Sequence, residues 1–398
     1  MLVTDAERGS SIAVIRALGK GGYCVIAADA NPKSIGFRSR YVDDILVYPS
    51  PEHDSAGFIE CLRKAAIARQ IDLVIPVTEM VIQPLMRVRE DIESVTRLAL
   101  PANRLLAEVT DKLRTIELAR GLGIPVPDTY LANGTREAIT LVKHLTWPVV
   151  VKPITSARLC PSGHIEKFEV SYAPGPEDLE RVTRRFEGKC PVLLQRYYPG
   201  VGYGVELLMS QGEPIAAFAH KRLREFPITG GASSFRESVT LDEKLYGYSV
   251  SLLKKLEWSG LAMVEFKVDG SNPVLMEING RMWGSMPLAI WSGVNFPLLL
   301  TKLFLDGRES ISPQLNGGYK VGLRCRDLQK DLMWIASVLL QRRKYPFLKT
   351  PKRSQALGAL AGFLNPMHKF DLLCLDDPIP GLAELPKILL KFKEKIRD

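Results

Sequence analysis

The chain has no pair of cysteines spaced to grip a metal: Cys24, Cys61, Cys160, Cys190, Cys325 and Cys374 are scattered over 398 residues with no CxxC among them. That excludes a zinc ribbon and argues for reduced thiols in a cytoplasmic protein over a disulfide framework. Histidine is scarce as well. His53, His144, His164, His220 and His368 are spread too widely to suggest a zinc centre or a Ser/His/Asp hydrolase. Uninterrupted apolar runs fall far short of the roughly 18–20 residues that a membrane helix needs. The opening M-L-V-T-D-A-E-R lacks the basic-then-apolar pattern of a secretory leader, so a soluble chain is expected. Internal repeats and low-complexity stretches are missing too. The Gly-rich G-K-G-G at 19–22 lacks the G-x-x-x-x-G-K-[ST] spacing and follows a helix, so it reads as a helix stop and turn.

The net charge of +9 is unevenly distributed. Residues 311–398 carry 16 Lys/Arg against 8 Asp/Glu, whereas the first 310 carry 37 against 36. The main body is therefore nearly neutral, and a nucleic-acid partner does not follow from the basic pI. At this length the chain should divide into two or three domains.

The first hundred residues alternate strand and helix. Strands are expected at Met1–Thr4, Tyr23–Asp29 and Leu73–Val77, with helices over Ser10–Leu18 and Ala56–Arg69. That alternation argues for a parallel, doubly wound sheet with a cleft at the carboxyl ends of its strands, near Asp5–Ser11 and Thr78–Glu79. A helix is expected from about Thr110 to Leu122, closed by G-L-G-I-P-V-P. Beyond it, to about residue 300, the strands take on an antiparallel character with Gly-rich turns. Residues 311–398 read as amphipathic helices broken by prolines near 346, 351, 366 and 378–380.

The stretch Leu261–Arg281 predicts a hairpin turning at Asp269–Pro273. With Ser271 at its centre, Glu265 and Glu277 face each other. Val264, Phe266, Val268, Val274, Met276 and Ile278 then share one face, and Glu265, Lys267, Glu277 and Asn279 the other. Opposed positions bring two Cβ atoms to about 4.5–5.5 Å, where like charges destabilise. A hard divalent cation such as Mg²⁺ would offset that repulsion. A solvated face with Lys267 neutralising one glutamate remains open on spacing alone, and a bulge would shift the register.

The motif M-E-I-N-G-R-M-W-G-S resembles the E-x-N-x-R signature of ATP-grasp enzymes. Upstream, D-K-L-R-T-I-E-L-A-R-G-L-G-I-P-V-P and W-P-V-V-V-K-P resemble that superfamily's two lysine motifs, in the expected order. H-K-R-L-R-E-F-P-I-T-G-G-A-S-S-F-R-E-S-V is similar to a group of predicted ATP-grasp carboxylate–amine ligases of undefined substrate. The resemblance implies an α/β fold: a Rossmann-like pre-ATP-grasp domain (1–103), a small lobe (104–194), a large lobe with the metal site (195–310) and a basic helical extension (311–398).

It further implies that Lys112 and Lys152 contact phosphate and that Glu265, Glu277 and Asn279 bind Mg²⁺ or Mn²⁺. By the same resemblance Arg281 stabilises the transferring group, and Gln195, Arg196, Tyr197 and Tyr198 flank adenine. Glu206 is a candidate for the ribose. Lys221, Arg222 and Arg224, followed by Gly230-Gly231, are candidates for a nucleotide and acyl-phosphate site, with a solvated basic strand as the alternative. Where relatives carry a mobile Gly-rich loop, this chain has I-T-S-A-R-L-C-P-S-G-H, with one glycine; Ser156, Arg158, Ser162 and His164 are its candidate phosphate ligands. The implied reaction couples a small carboxylate to an amine with Mg-ATP. A non-amine acceptor or a degenerate nucleotide-binding scaffold are the alternatives.

The tail offers two readings. The apolar run 332–340 with the basic Gln341–Tyr345, and the Lys-rich final stretch, suit either packing on the body or a second subunit, or contact with an anionic membrane at the inner face.

Overall fold

The computed structural model describes residues 1–160, 162–315, 317–340, 347–348 and 350–397, with side chains through Leu390 in the last helix. Three sheets organise it. The first is wholly parallel: β1 (Leu2–Val3), β2 (Ile26–Asp29), β3 (Asp44–Val47), β4 (Leu73–Ile75) and β5 (Arg97–Leu98), in the order β3-β2-β1-β4-β5. Its β1, β2 and β4 strands are apolar and buried on both faces, as helices packed on either side require. The Gly9–Lys20 helix stops where the glycines stand: the Gly21 N–H donates to the Ala17 carbonyl at 3.0 Å, and Gly22 turns the chain at φ +82°. The strand order reverses between β1 and β4, and the crevice there holds Asp5, whose carboxylate accepts the Thr78 N–H at 3.1 Å.

The second sheet is antiparallel, in the order β10-β7-β11-β6: β6 (Thr129–Ala132), β7 (Val149–Pro153), β10 (Ser171–Ala173) and β11 (Val192–Arg196). Beside it β8 (Ala157–Leu159) and β9 (Ile165–Lys167) form a small hairpin. Val149 and Val151 of β7 join the core beneath the Thr135–Leu141 and Pro176–Thr183 helices. By alternation, Val150 and Lys152 take the opposite face.

The third sheet has seven strands: β12 (Val201–Ser210), β13 (Glu213–Phe226), β14 (Ala232–Ser238), β15 (Gly260–Asp269), β16 (Asn272–Asn279), β17 (Arg324–Arg326) and β18 (Lys369–Phe370). Their order is β16-β15-β12-β13-β14-β17-β18. Val205, Leu207, Val264 and Ile278 pack one face against the Glu243–Lys255 helix, with Leu245, Leu252 and Leu253. Leu208, Phe218 and Met263 on the other face join the N-terminal domain in a shared core with Trp283, Phe296, Val14 and Leu18.

One expectation is extended and one corrected. The helix expected over Thr110–Leu122 is present as Lys112–Gly121, and a further helix, Asn103–Thr110, precedes it. Asp111 divides them, capping the second by accepting N–H bonds from Leu113 (2.9 Å) and Arg114 (3.2 Å). The C-terminal segment is helical in the main but also extends the large-lobe sheet: β17 pairs with β14, and β18 runs parallel to β17.

The 332–340 run lies in the Leu328–Leu340 helix, which buries Met333, Trp334, Ile335 and Val338. The basic run Gln341–Tyr345 that follows lies outside the described residues. Farther on, Asp377 reaches back to the first helix. Its carboxylate meets Arg16 Nε at 2.8 Å, Ser39 Oγ at 2.7 Å and the Arg40 N–H at 3.0 Å, all but the last fully buried. Among the described residues, no single helix is long and apolar enough to cross a membrane.

Candidate active site

The β15–β16 hairpin places Glu265 directly opposite Glu277. It does so by a route the sequence does not display. The turn is two residues, Gly270-Ser271, so Asp269 pairs with Asn272 and Phe266 with Leu275. A bulge then inserts Met276, and Glu265 meets Glu277. One extra residue reverses facing, so Leu275 enters the core with Phe266 while Met276 lines the cleft beside Glu277. The expected apolar face is corrected accordingly, at Val274, Leu275 and Met276.

Around the carboxylate pair, charges converge from three directions. Arg222 of β13 holds the Glu265 carboxylate through Nη2 and donates from Nη1 to Glu225 at 3.2 Å and to the Gly231 carbonyl at 3.3 Å. The Asn279 amide donates to Glu265 at 3.1 Å and to Glu277 at 3.2 Å. Lys152 enters from the small lobe. Lys112, at the start of its capped helix, donates to Ser156 Oγ at 3.0 Å, and its backbone N–H bonds the Ile154 carbonyl at 2.9 Å. Arg281 stands on the N-terminal side, with Nε 3.2 Å from Glu79 of the Glu79–Arg87 helix and Nη1 donating to the Met282 carbonyl at 2.8 Å.

Burial pushes Glu265 up to about 7; Arg222 pulls it down and the Glu277 charge pushes it further up. Burial would raise Glu277 as well, but Lys112, Lys152 and the Asn279 amide outweigh it and hold that carboxyl below its usual range. Burial drives Lys152 down to about 8, against the pull of Glu277 and with repulsion from Lys112 and Lys267. Of the pair, Glu265 alone is thus left incompletely compensated by the protein groups around it. Among the described residues no cluster of three or more His, Cys, Asp or Glu could hold a metal. Two opposed carboxylates, joined by the Asn279 oxygen once that amide turns its Nδ2 away from them, suit a hard, oxygen-seeking dication completed by phosphate oxygens or water, and this donor set fits Mg²⁺.

A cleft of about 220 Å³ opens from these charges between the lobes. Val150, Lys152, Gln195, Arg196, Tyr197 and Tyr198 line it from the small-lobe side, and Gly202, Arg222, Glu225, Glu265, Met276 and Glu277 from the large lobe. Gln195 is buried, with Nε2 donating to Thr129 Oγ1 at 3.0 Å. Gly230 closes one end at φ +121°, where a Cβ would lie 2.8 Å from the Tyr172 hydroxyl. On the far side of Glu277 a second hollow reaches the N-terminal domain, past Lys112, Asn279 and Arg281 to Glu79, Gln83 and Met86.

Glu206, Lys221 and Arg224 stand apart from both hollows. Glu206 is fully buried beneath the cleft, bonded to Ser285 Oγ at 2.8 Å and 3.0 Å from His220 Nδ1. Burial lowers the His220 imidazole below its usual range in spite of that glutamate. The ring lies over Gly204, where a Cβ would come within 2.3 Å of it. Lys221 alternates to the other face of β13, its ammonium 5.8 Å from the Tyr203 ring. Arg224 turns away to the C-terminal segment, with Nε and Nη2 each 2.7 Å from the Asp331 carboxylate and the guanidinium stacked 4.2 Å over Phe235.

The segment that replaces the Gly-rich loop is the β8–β9 hairpin, docked on the N-terminal domain. The Ile165 N–H donates to the Glu52 carbonyl at 2.9 Å, and Arg87 donates to the Leu159 carbonyl at 2.9 Å. Within it Arg158 pairs with Glu166 at 3.2 Å, and Ser162 with His164 at 2.6 Å.

Sequence reasoning did not single out Glu225, Lys267 or Met276 as cleft residues. Alternation with Glu265 carried the signal for Lys267; Glu225 and Met276 follow bulges, which leave none.

Residues 189–324 match the family described as "ATP-grasp in the biosynthetic pathway with Ter operon". The carbamoyl phosphate synthase large chain of Pyrococcus furiosus is 28% identical over 203 residues, which is 49% of this chain and 18% of that one. The chain thus spans less than a fifth of that relative's length. Among solved structures, a biotin carboxylase from Campylobacter jejuni superposes with a TM-score of 0.64 at 17% identity, covering 81% of this chain and 74% of that one. An L-amino acid ligase from Bacillus licheniformis does so with a TM-score of 0.59 at 16% identity, covering 78% and 77%. At such identities the likeness is one of fold. The parallel-sheet domain and the two lobes build an ATP-grasp fold, within which residues 189–324 match an ATP-grasp family.

Proposed function

We propose that the chain is an ATP-dependent carboxylate–amine ligase that works through an acyl phosphate. The observation that carries the reading is the confrontation of Lys152 with the opposed pair Glu265 and Glu277 across one interlobe cleft, with Lys112 acting on Glu277 from the hollow behind it. In this reading the Gln195–Tyr198 segment and Met276 take the base, and Lys152 takes the phosphates as a compact charge. Glu265, Glu277 and Asn279 would hold Mg²⁺, which neutralises charge on the phosphates when bound. Arg281 faces the N-terminal domain, where a substrate carboxylate approaches, and suits a planar array of oxyanions. Catalysis here is mainly positioning and electrostatic stabilisation, with the lobes excluding water from the activated acyl group. An amine then displaces phosphate from the acyl phosphate.

ADP release, screened over carboxylates with and without amines, tests the reading. A carboxylate that releases ADP only when an amine is present, with amide formed, supports it. Turnover that ignores amines and yields a phosphorylated or carboxylated product overturns the amine acceptor while keeping the cleft.

We also propose that the Ile379–Arg397 helix meets an anionic membrane surface. Its inner face docks through the buried Glu384 and Ile388, while Ile379, Leu382, Leu385, Leu389 and Leu390 are all exposed. At helical spacing those five span an arc of about 140°. The Lys-rich sequence that follows disfavours pairing with a second copy of itself and favours acidic headgroups. Co-sedimentation with phosphatidylserine vesicles that fails, or that survives Leu382→Ser/Leu389→Ser, overturns this.

A further inference from the structure

The stretch of β13 that carries Arg222 into the cleft is irregular in a particular way. Arg222 pairs with Arg236, Arg224 with Phe235, and Glu225 with Ser233. Leu223 is therefore extra on β13 and Ser234 is extra on β14, so two opposite bulges flank Arg224 and cancel one residue later. The excursion lets Arg222 and Glu225 both face the cleft while Arg224 between them faces away.

A single carboxylate holds both halves of this excursion. Asp331, in the first turn of the Leu328–Leu340 helix, is fully buried. It accepts two bonds from Arg224 at 2.7 Å each and one from Arg326 at 2.9 Å, and lies 3.5 Å from the hydroxyl of Ser234, the bulged residue of β14. Arg224 and Arg326 are stacked against Phe235 from 4.2 and 4.6 Å, and Arg326 lies 4.2 Å over Phe363. Planar guanidinium groups held by bidentate bonds and aromatic faces have little freedom. Bulges also re-aim the side chains beside them. Asp331 lies outside the segment, residues 189–324, that matches the family.

We infer that Asp331 is a positioning residue for the nucleotide cleft: through Arg224 and Ser234 it fixes the double bulge that sets Arg222 on Glu265. The C-terminal segment thereby takes part in Mg-ATP affinity without touching the ligand. This rests on the reading of the cleft as a Mg-ATP site.

A double-mutant cycle tests it, with the Kd for Mg-ATP measured by calorimetry on the full chain. Asp331→Asn and the milder Arg224→Gln, which leaves Asp331 paired with Arg326, are each combined with Arg222→Gln. Acting through Arg222, each single substitution weakens Mg-ATP binding about tenfold or more, but changes it less than about twofold once Arg222 is already Gln. If Asp331→Asn does not fold, as a loss of melting cooperativity would show, Arg224→Gln carries the test. Equal effects in both backgrounds mean a role in packing alone and overturn the inference, as does unchanged affinity in the single variants. A wild-type chain that binds no Mg-ATP overturns the reading of the cleft, and the inference with it.

Discussion

The two lobes bring opposite charges to one cleft, and burial works against each in the opposite direction. On the small lobe it drives Lys152 down to about 8; on the large lobe it pushes Glu265 up to about 7. Lys152 falls from its usual 10.5, so its penalty on the fold is complete below about pH 8 and fades as the pH rises from there to 10.5. Glu265 rises from its usual 4.5, so its penalty is absent below that value, grows between 4.5 and about 7, and is complete above. Between about pH 7 and 8 both lobes therefore hold a disfavoured charge at once. A ligand that carries both phosphates and a dication relieves both lobes, whereas either component alone relieves one. On the proposed reading, the difference teaches that the cleft is organised for the pair.

The largest effect that would break this comparison comes from the large lobe. Glu277→Gln keeps the volume and removes one anionic oxygen donor, and turnover should fall below detection while the melting profile persists. Activity retained within about tenfold, equivalent to about 1.4 kcal/mol of barrier, would remove Glu277 from the cation site. Next, Lys152→Ala and Arg281→Ala should separate the small lobe from the domain boundary. The lysine variant should raise KM for ATP more than about tenfold; the arginine variant should lower kcat by a similar factor with KM little changed. Steady-state kinetics showing the reverse would exchange their roles.

A subtler measurement sharpens the comparison directly. Binding should raise the Lys152 value and lower that of Glu265. Mg-ATP binding is then expected to release protons near about pH 6.5 and take them up near about pH 8.5. Calorimetry in buffers of different ionisation enthalpy would show the change of sign, referenced to Glu265→Gln on the acid side and Lys152→Met on the alkaline side. A proton count of one sign throughout would refute it. The smallest effect belongs to the cap: Asp111→Ala should cost about 1 kcal/mol in denaturant unfolding and leave Mg-ATP affinity within about threefold. A much larger loss of affinity would mean that Asp111 does more than start the helix bearing Lys112.

The parallel-sheet domain was legible because alternating apolar strands and helices announce it, and the Gly21-Gly22 stop declares its own chemistry. The Glu265–Glu277 opposition was read correctly from a turn centre that is off by half a residue, because the bulge at Met276 restores the register just before the carboxylates. Periodicity cannot show such a step, so Met276 was placed on the apolar face of the hairpin. The same blindness affected β13. There the two bulges send Arg222 and Arg224 to different partners, though both looked alike in a basic run. The setting of Glu206 was illegible for another reason: a buried carboxylate takes its partners from His220 and Ser285, which lie far away in sequence. The helix bearing Lys112 was read to within two residues, but the short Asn103–Thr110 helix before it was not foreseen, though Asp111 between them is a strong capping residue.

The buried contact between Arg16 and Asp377 has a consequence in time. The two residues are 361 positions apart, so at about 5–20 residues per second a ribosome delivers the aspartate roughly 20 to 70 s after the arginine. Throughout that interval the first helix carries a guanidinium destined for the interior with no anion to meet it. The parallel-sheet domain is in this respect finished only after residues far downstream of it, and its closure reports that synthesis has passed residue 377.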